Sequence, residues 1–400
     1  MSEPLMTEEV PKVRETGRFL FVGVGHAGGV LISHLPKRVP EFEYAAVDTD
    51  RKSLSSLPFE RKILLGKICT HGLGTGGNPE LATSSLEEEN EELYSLFQGV
   101  DVLILVAGLG GGTGSVIGSA LAEMAREAGA IVLSTLVRPL EAEGNSRAAL
   151  ADSAVVSYRE HSDGVFMFPL EVLKSAEDSS MLLPRLLKRC GMEIGRSLGG
   201  LAVLLRTGWL LPMTIQDVVQ TLQRADSYCR LVATSAEGDH RVSQSLDKLF
   251  THPLIDKGSL LAHSGGVLVG VLCGPQTPLS ELETISLEIR RVLRSDAEWK
   301  LGIGQDERFG RHIALVVMVA EKWSEATVPL EAVQTEEPGS EDQESEKEKE
   351  LIQSEIDLAA PSKGRFKDSA PTIIAGTDLD TPTFIRKGIR LSFQRKKEGV

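Results

Sequence analysis

Residues 101–115 read DVLILVAGLGGGTGS, an apolar, β-rich run that breaks into five glycines among the seven positions Gly108 to Gly114. Glycine loses more backbone freedom on folding than any other residue, so such density between a buried strand and a helix needs a reason. Consecutive N–H groups at Gly110, Gly111, Gly112 and Gly114, with the Thr113 hydroxyl among them, can wrap an anion. The loop is not a Walker P-loop, because no Lys-Ser or Lys-Thr follows the glycines.

Upstream, RFLFVGVG (18–25) makes a similar strand-to-turn passage into Gly25, His26, Ala27, Gly28 and Gly29. Gly23-x-Gly25-x-x-Gly28 satisfies the dinucleotide fingerprint, and Asp48 stands where a ribose-binding acid is expected. A nicotinamide-dependent oxidoreductase is therefore one reading. A dinucleotide site has no need of the second glycine loop, which argues for a nucleotide whose phosphate tail is held by two turns.

Further apolar runs, EYAAVD (43–48), AIVLSTLV (130–137) and GVFMFP (164–169), read as buried parallel strands. Together they predict a doubly wound α/β nucleotide-binding domain over 17–175. Leu183, Leu187, Cys190, Ile194, Leu198, Leu201 and Leu205 step by three and four, which predicts a long central helix within 176–207. Gly195, Gly199 and Gly200 interrupt it, and close packing against a neighbour is the expected reason. Strand-like GGVLVGVLCG and HIALVVMVA around helical SELETISLEIRRVL predict a smaller α+β domain at 208–322.

The 43 basic and 57 acidic residues give a net charge of −14, which disfavours nucleic acid or an anionic membrane as a partner. Between Glu336 and Asp357 ten acids face two lysines, so an acidic disordered linker is expected over 323–377, as is a disordered N-terminus over 1–16. The last segment, 378–400, mixes Phe384, Ile385, Leu391 and Phe393 with basic residues and reads as a partner-binding tip. Its Arg386, Lys387, Arg390, Arg395, Lys396 and Lys397 suit an anionic surface or an acidic partner. Cys69, Cys190, Cys229 and Cys273 are widely spaced without a CxxC pair, as reduced thiols would be. No apolar run is long enough to span a membrane and the N-terminus lacks a signal-like core, so a soluble cytoplasmic protein is expected.

These motifs resemble the tubulin-like division GTPase family FtsZ. GLGGGTGS carries the likeness most specifically. In family order around it stand GVGHAGG (23–29), AVDTD (46–50), HGLGTGGNPE (71–80) and RPLEAEGNSR (138–147). At the far end, DTPTFIRKG (380–388) resembles the short peptide that docks on membrane-anchored division partners. The resemblance implies GTP or GDP with Mg2+, a head-to-tail filament and a place at the division site. It implies phosphate contacts at Gly25 to Gly29, at Gly74, Thr75, Gly76, Gly77 and Asn78, and at Gly108 and Gly110 to Gly114. Glu143 and Arg147 fall on ribose- and phosphate-contacting positions, and Pro382, Phe384, Ile385, Arg386 and Lys387 on the partner-binding peptide. No side chain is singled out as a metal ligand.

The departures cluster. Family positions that hold the base fall on Val30, Leu170 and Leu187, and the catalytic loop falls on PMTIQD (212–217), where Pro212 and Thr214 replace an Asn and an Asp. Only Asp217 remains as the candidate catalytic acid. Slowed GTP hydrolysis is therefore expected, with a non-hydrolysing paralogue that regulates or co-assembles with another filament as the alternative.

Overall fold

Alternating β-branched and aromatic runs, flanked by glycine turns, build one sheet whose strands are β1 (Phe19–Val24), β2 (Glu43–Asp48), β3 (Arg61–Leu64), β4 (Val102–Gly108), β5 (Ile131–Arg138) and β6 (Gly164–Pro169), then β7 (Gly208–Leu211), β8 (Cys229–Glu237), β9 (Gly266–Cys273), β10 (Glu298–Gln305) and β11 (His312–Ala320). The computed structural model describes residues 17–321 except 36, 89, 174–181, 207 and 226–227, together with 373–374 and 377–378. The expected N-terminal arm, most of the acidic linker and the C-terminal peptide lie outside the described residues. Where the expected linker meets the expected C-terminal segment, Ile373–Ile374 and Thr377–Asp378 pair antiparallel.

The strand order is β3-β2-β1-β4-β5-β6-β8-β11-β9-β10-β7. Its first six strands are all parallel, as the near-continuous apolar runs required. The chain leaves β1 toward β2 on one side and resumes at β4 on the other. In open α/β sheets ligands bind beyond the carboxyl ends of strands at such a reversal, and both glycine loops emerge there. Strand β8 joins β6 through the single parallel pair Phe166↔Cys229, after which β8, β11 and β9 run antiparallel. The boundary expected at 207/208 thus divides elements of one continuous sheet.

Helices α1 (Gly25–Ile32), α2 (Arg51–Ser55), α3 (Pro79–Glu88), α4 (Asn90–Phe97), α5 (Gly118–Glu127) and α6 (Asn145–His161) belong to the parallel part. They are followed by α7 (Leu170–Leu173), α8 (Leu183–Arg206), α9 (Ile215–Arg224), α10 (Arg241–Phe250), α11 (Ser259–His263) and α12 (Leu279–Val292). Two apolar clusters cover opposite faces of the parallel strands. Phe21, Ile104, Leu133 and Phe166 belong to one, and Leu20, Leu103, Val132 and Val165 to the other, as period-two alternation dictates.

The long helix is α8, and its Cys190, Ile194, Leu198 and Leu201 are fully buried. Of the glycines expected to interrupt it, Gly199 and Gly200 have the packing reason anticipated for them, whereas a Cβ at Gly195 would make only ordinary contact, 3.8 Å from Leu35 Cγ. A Cβ at Gly200 would lie 2.9 Å from Val316 Cγ2, and one at Gly199 3.3 Å from Leu35 Cδ2. At these two, close approach offsets the roughly 1 kcal/mol that each glycine costs a helix interior.

Candidate functional site

The carboxyl ends of β1 and β4 open onto a cavity of about 660 Å³. It is floored by the two glycine turns and walled by residues of β2, the 73–77 loop, the end of β5, α6, α7 and α8. The turns abut: a Cβ at Gly25 would sit 3.5 Å from the Gly114 amide nitrogen and 3.5 Å from Thr113 Cβ. A Cβ at Gly108 would lie 2.5 Å from that of Ala27. One anion can therefore meet the backbone of both. Helix α1 begins at this floor with Val24 as its N-cap and no side-chain cap, so its first N–H groups and the positive end of its dipole face the cavity unopposed.

The expected glycines divide into two kinds. At Gly76, Gly77 and Gly111 an added Cβ would meet nothing within 4 Å, so bare backbone borders open space. Gly76 and Gly77 also have positive φ, at 59° and 86°. In contrast, Gly28 and Gly29 do not line the cavity, since a Cβ would overlap the Val106 carbonyl at the first and Leu57 at the second. Gly114 and Gly112 combine both roles, lining the floor while a Cβ would strike Gly108 O and Thr75 Oγ1 respectively. Gly110 stands back, because its amide donates to Ser115 Oγ at 2.9 Å inside the loop. Thr113 to Ile117 then run as a short π-helix before α5, a distortion often found at functional sites.

The side chains around this floor are mostly engaged with one another. Thr113 Oγ1 and Thr49 Oγ1 are 2.8 Å apart and buried, tying the β4 loop to the end of β2. Gly74 N–H donates to Thr49 O at 3.1 Å, which holds the 73–77 loop against the same edge. Thr75 is buried in the wall. Asn78 is not in it; its Oδ1 caps α3 by accepting from the amides of Glu80 and Leu81. Asp48 is 3% exposed. Burial pushes its carboxyl up from the ordinary range, against the opposing pull of donors from Ser53, Asp50 and Thr49. Its oxygens close the β2–α2 turn, one of them accepting from Ser53 Oγ at 2.6 Å.

Glu143 and Arg147 both line the cavity and pair with each other at 2.6 Å. The intervening backbone is not one helix. Glu141–Glu143 form a 3-10 turn, Gly144 turns at φ 94°, and α6 starts at Asn145. Two residues absent from the expected set shape this wall. Tyr158, fully buried on α6, donates to the Gly114 carbonyl at 2.6 Å, and Ser115 anchors Gly110. An aromatic at helix spacing and one more loop hydroxyl gave no distinguishing signal in sequence.

Of the positions aligned with base contacts, Leu170 and Leu187 are cavity wall and Val30 is not; Leu31 is there instead. This wall is aliphatic. Among the described residues no cluster of three His, Cys, Asp or Glu could cage a metal ion. Of the two aspartates at the wall, Asp48 spends both oxygens on the β2–α2 turn and Asp50 Oδ1 caps α2, so Mg2+ would be held chiefly by the ligand's phosphates, with Asp50 as the carboxylate beside it.

Asp217 lies elsewhere, in the first turn of α9. Its Oδ2 accepts from the Thr214 amide at 2.6 Å and the Thr214 hydroxyl at 2.7 Å, while Oδ1 is paired with Lys300. Both oxygens are thus occupied within the chain, in a capping box closed by an ion pair.

Residues 18–177 match the family model for the Tubulin/FtsZ family, GTPase domain. The chain is 28% identical over 309 residues to the cell division protein FtsZ of Buchnera aphidicola, covering 76% of this chain and 80% of that relative. To the FtsZ of Pseudomonas aeruginosa it is 26% identical over 316 residues, or 78% and 79%. Among solved structures, an empty FtsZ dimer from M. jannaschii superposes with a TM-score of 0.65 at 24% identity, covering 76% of this chain and 88% of that one. A GTPgS-bound protofilament of CetZ2 from Haloferax volcanii gives 0.60 at 22%, covering 76% and 92%. At these identities the structures speak for the fold.

Proposed function

We propose that this chain, similar to FtsZ proteins over about three quarters of its length, binds a guanine nucleotide with Mg2+ at the β1/β4 cavity, stacks head to tail into filaments and hydrolyses GTP slowly. The observation that carries this reading is the abutment of the two turns, with the Gly25 Cβ position 3.5 Å from Gly114 N. Phosphate oxygens would be held by amides at the start of α1 and around Gly111 to Gly114, with Arg147 beside them. When bound, Mg2+ would neutralise charge on the phosphates. The related structures, a dimer and a protofilament, support self-association. In such a stack Asp217 would approach a neighbour's nucleotide, but its carboxylate is already shared between Thr214 and Lys300. Positioning a water is where phosphoryl transfer gains most from a carboxylate, so turnover is slow.

The same occupancy favours the second reading, a cytoplasmic paralogue that co-assembles with or regulates another filament. Either form would be drawn to the division site by a membrane-anchored protein that reads Pro382, Phe384, Ile385, Arg386 and Lys387, residues outside those described. Pelleting with GTP tests the proposal: sedimentation of the pure chain supports a filament former, and sedimentation only with a conventional FtsZ supports the paralogue. Failure to bind GDP or GTP at all sinks both.

A further inference from the structure

Beside the phosphate turns runs a chain of three polar side chains. The Asp48 carboxylate accepts the Ser53 hydroxyl proton at 2.6 Å, and Ser53 Oγ stands 2.8 Å from His26 Nδ1. A serine hydroxyl has one proton to give. Since that proton goes to Asp48, Ser53 Oγ accepts from the ring, which fixes His26 as the Nδ1–H form. The other ring nitrogen, Nε2, is left to gain or release a proton. Neutral, it turns a lone pair toward any anion; charged, it is a donor.

The charges around His26 give that proton weight. The cavity wall carries the carboxylates of Asp48, Asp50 and Glu143 and the guanidiniums of Arg138 and Arg147. Three negative groups against two positive leave −1 with a neutral imidazole and zero with a charged one. Both guanidiniums are already paired, Arg138 with Asp152 and Arg147 with Glu143. The 73–77 and 108–114 loops bear no charge. Arg51 and Lys52, which precede Ser53 on α2, and His34, which follows α1, stay outside the wall. Among the described lining residues, His26 alone can add a cation that no carboxylate contacts directly.

We infer that His26 is a proton-controlled phosphate ligand. Its charged Nε2–H donates to a phosphate oxygen in the cavity, while Asp48, acting through Ser53, orients the ring and steadies the cation. The inference rests on the proposed nucleotide site. Proton uptake and anion binding are then linked reciprocally, and nucleotide binds more tightly as pH falls.

The test measures affinity of the full chain for a fluorescent GDP analogue at about pH 6 and about pH 8, the span over which imidazole changes charge. Protonation of the nucleotide's own phosphate is common to every variant, so the ratio between the two pH values is compared with that of His26→Gln. Wild type is expected to gain about tenfold more than His26→Gln on acidification, as a charge-assisted bond would give, and Ser53→Ala is expected to lose most of that excess. Equal ratios in wild type and His26→Gln overturn the switch while leaving the site standing. An undiminished excess in Ser53→Ala overturns the relay. No GDP binding by wild type at either pH sinks the site and the switch together. Nitrogen NMR of the ligand-free protein, labelled in histidine, reads the relay independently of nucleotide: a proton on Nδ1 is expected, and one on Nε2 alone overturns it.

Discussion

The floor of the β1/β4 cavity and the first turn of α9 solve opposite problems. At the floor and the adjoining 73–77 loop, side chains are kept away so that backbone can meet a ligand: Gly76, Gly77 and Gly111 border open space, and Val24 leaves the start of α1 uncapped. At α9 the candidate carboxylate is used inside the chain, with Asp217 divided between Thr214 and Lys300. A backbone anion site tolerates change in side chains, because its donors belong to every residue. A catalytic carboxylate is lost as soon as a neighbouring lysine claims it. On the proposed function, the difference teaches how a chain would retain nucleotide binding while its hydrolysis fades.

Alanine substitutions in the floor should break the comparison most strongly. Gly28→Ala and Gly114→Ala place a methyl on the Val106 and Gly108 carbonyls, and rigid backbone cannot yield as a side chain can. Each should destabilise by about 3 kcal/mol or more, read as a lowered urea midpoint. Gly111→Ala, with its Cβ in open space, should fold normally and weaken GDP binding alone. If all three behave alike, the division of the glycines into packing and ligand-facing kinds is wrong.

Tyr158→Phe probes the same floor from behind. Removing the phenol takes away the side-chain donor to the Gly114 carbonyl, which should cost about 1 kcal/mol and speed nucleotide release. A smaller effect is expected where the ligand's base would lie. The aliphatic wall of Leu31, Leu170 and Leu187 should distinguish GDP from ADP by less than about a hundredfold, and Leu170→Asn should shift that preference by roughly tenfold through a new polar partner. Competition binding with both nucleotides measures each.

What sequence revealed follows the same split. Strands β1, β2, β4, β5, β6, β9 and β11 and helix α8 were legible because burial on both faces, or on one helical stripe, leaves an unbroken periodic signal. Strands β3, β7, β8 and β10 were missed: β3 and β7, at the two ends of the sheet, are four residues each with one unpaired side and carry too little pattern, while β8 and β10 mix polar residues into their runs. Glycine density located the cavity. Which glycine serves packing depends on what lies across from it, as with Gly29 and Leu57, and that pairing is set by tertiary structure. Asn78 looked like a ligand contact and is placed as a helix cap, because an Asn before Pro-Glu suits both roles. The link from His26 to Asp48 was invisible for a similar reason, since Ser53 joins them only once β2 and α2 are folded.

The smallest expected effect concerns Asp217 itself. Burial pushes its carboxyl up, yet Lys300 and the donors of Thr214 together outweigh that and hold it below the ordinary aspartate range. With the folded value lower than the unfolded one, the unfolded chain takes up the proton first on acidification. The stabilisation is complete at neutral pH and is lost as pH falls from about 3.9 through the depressed folded value. Asp217→Asn should lower stability near neutrality by about 1 kcal/mol, the worth of a cap, and the deficit should vanish in acid. Urea melts at several pH values follow the gap between the two proteins. A gap that stays constant into acid would mean that the carboxylate is not held as a charged cap, and Asp217 would again be free to serve a neighbour's nucleotide.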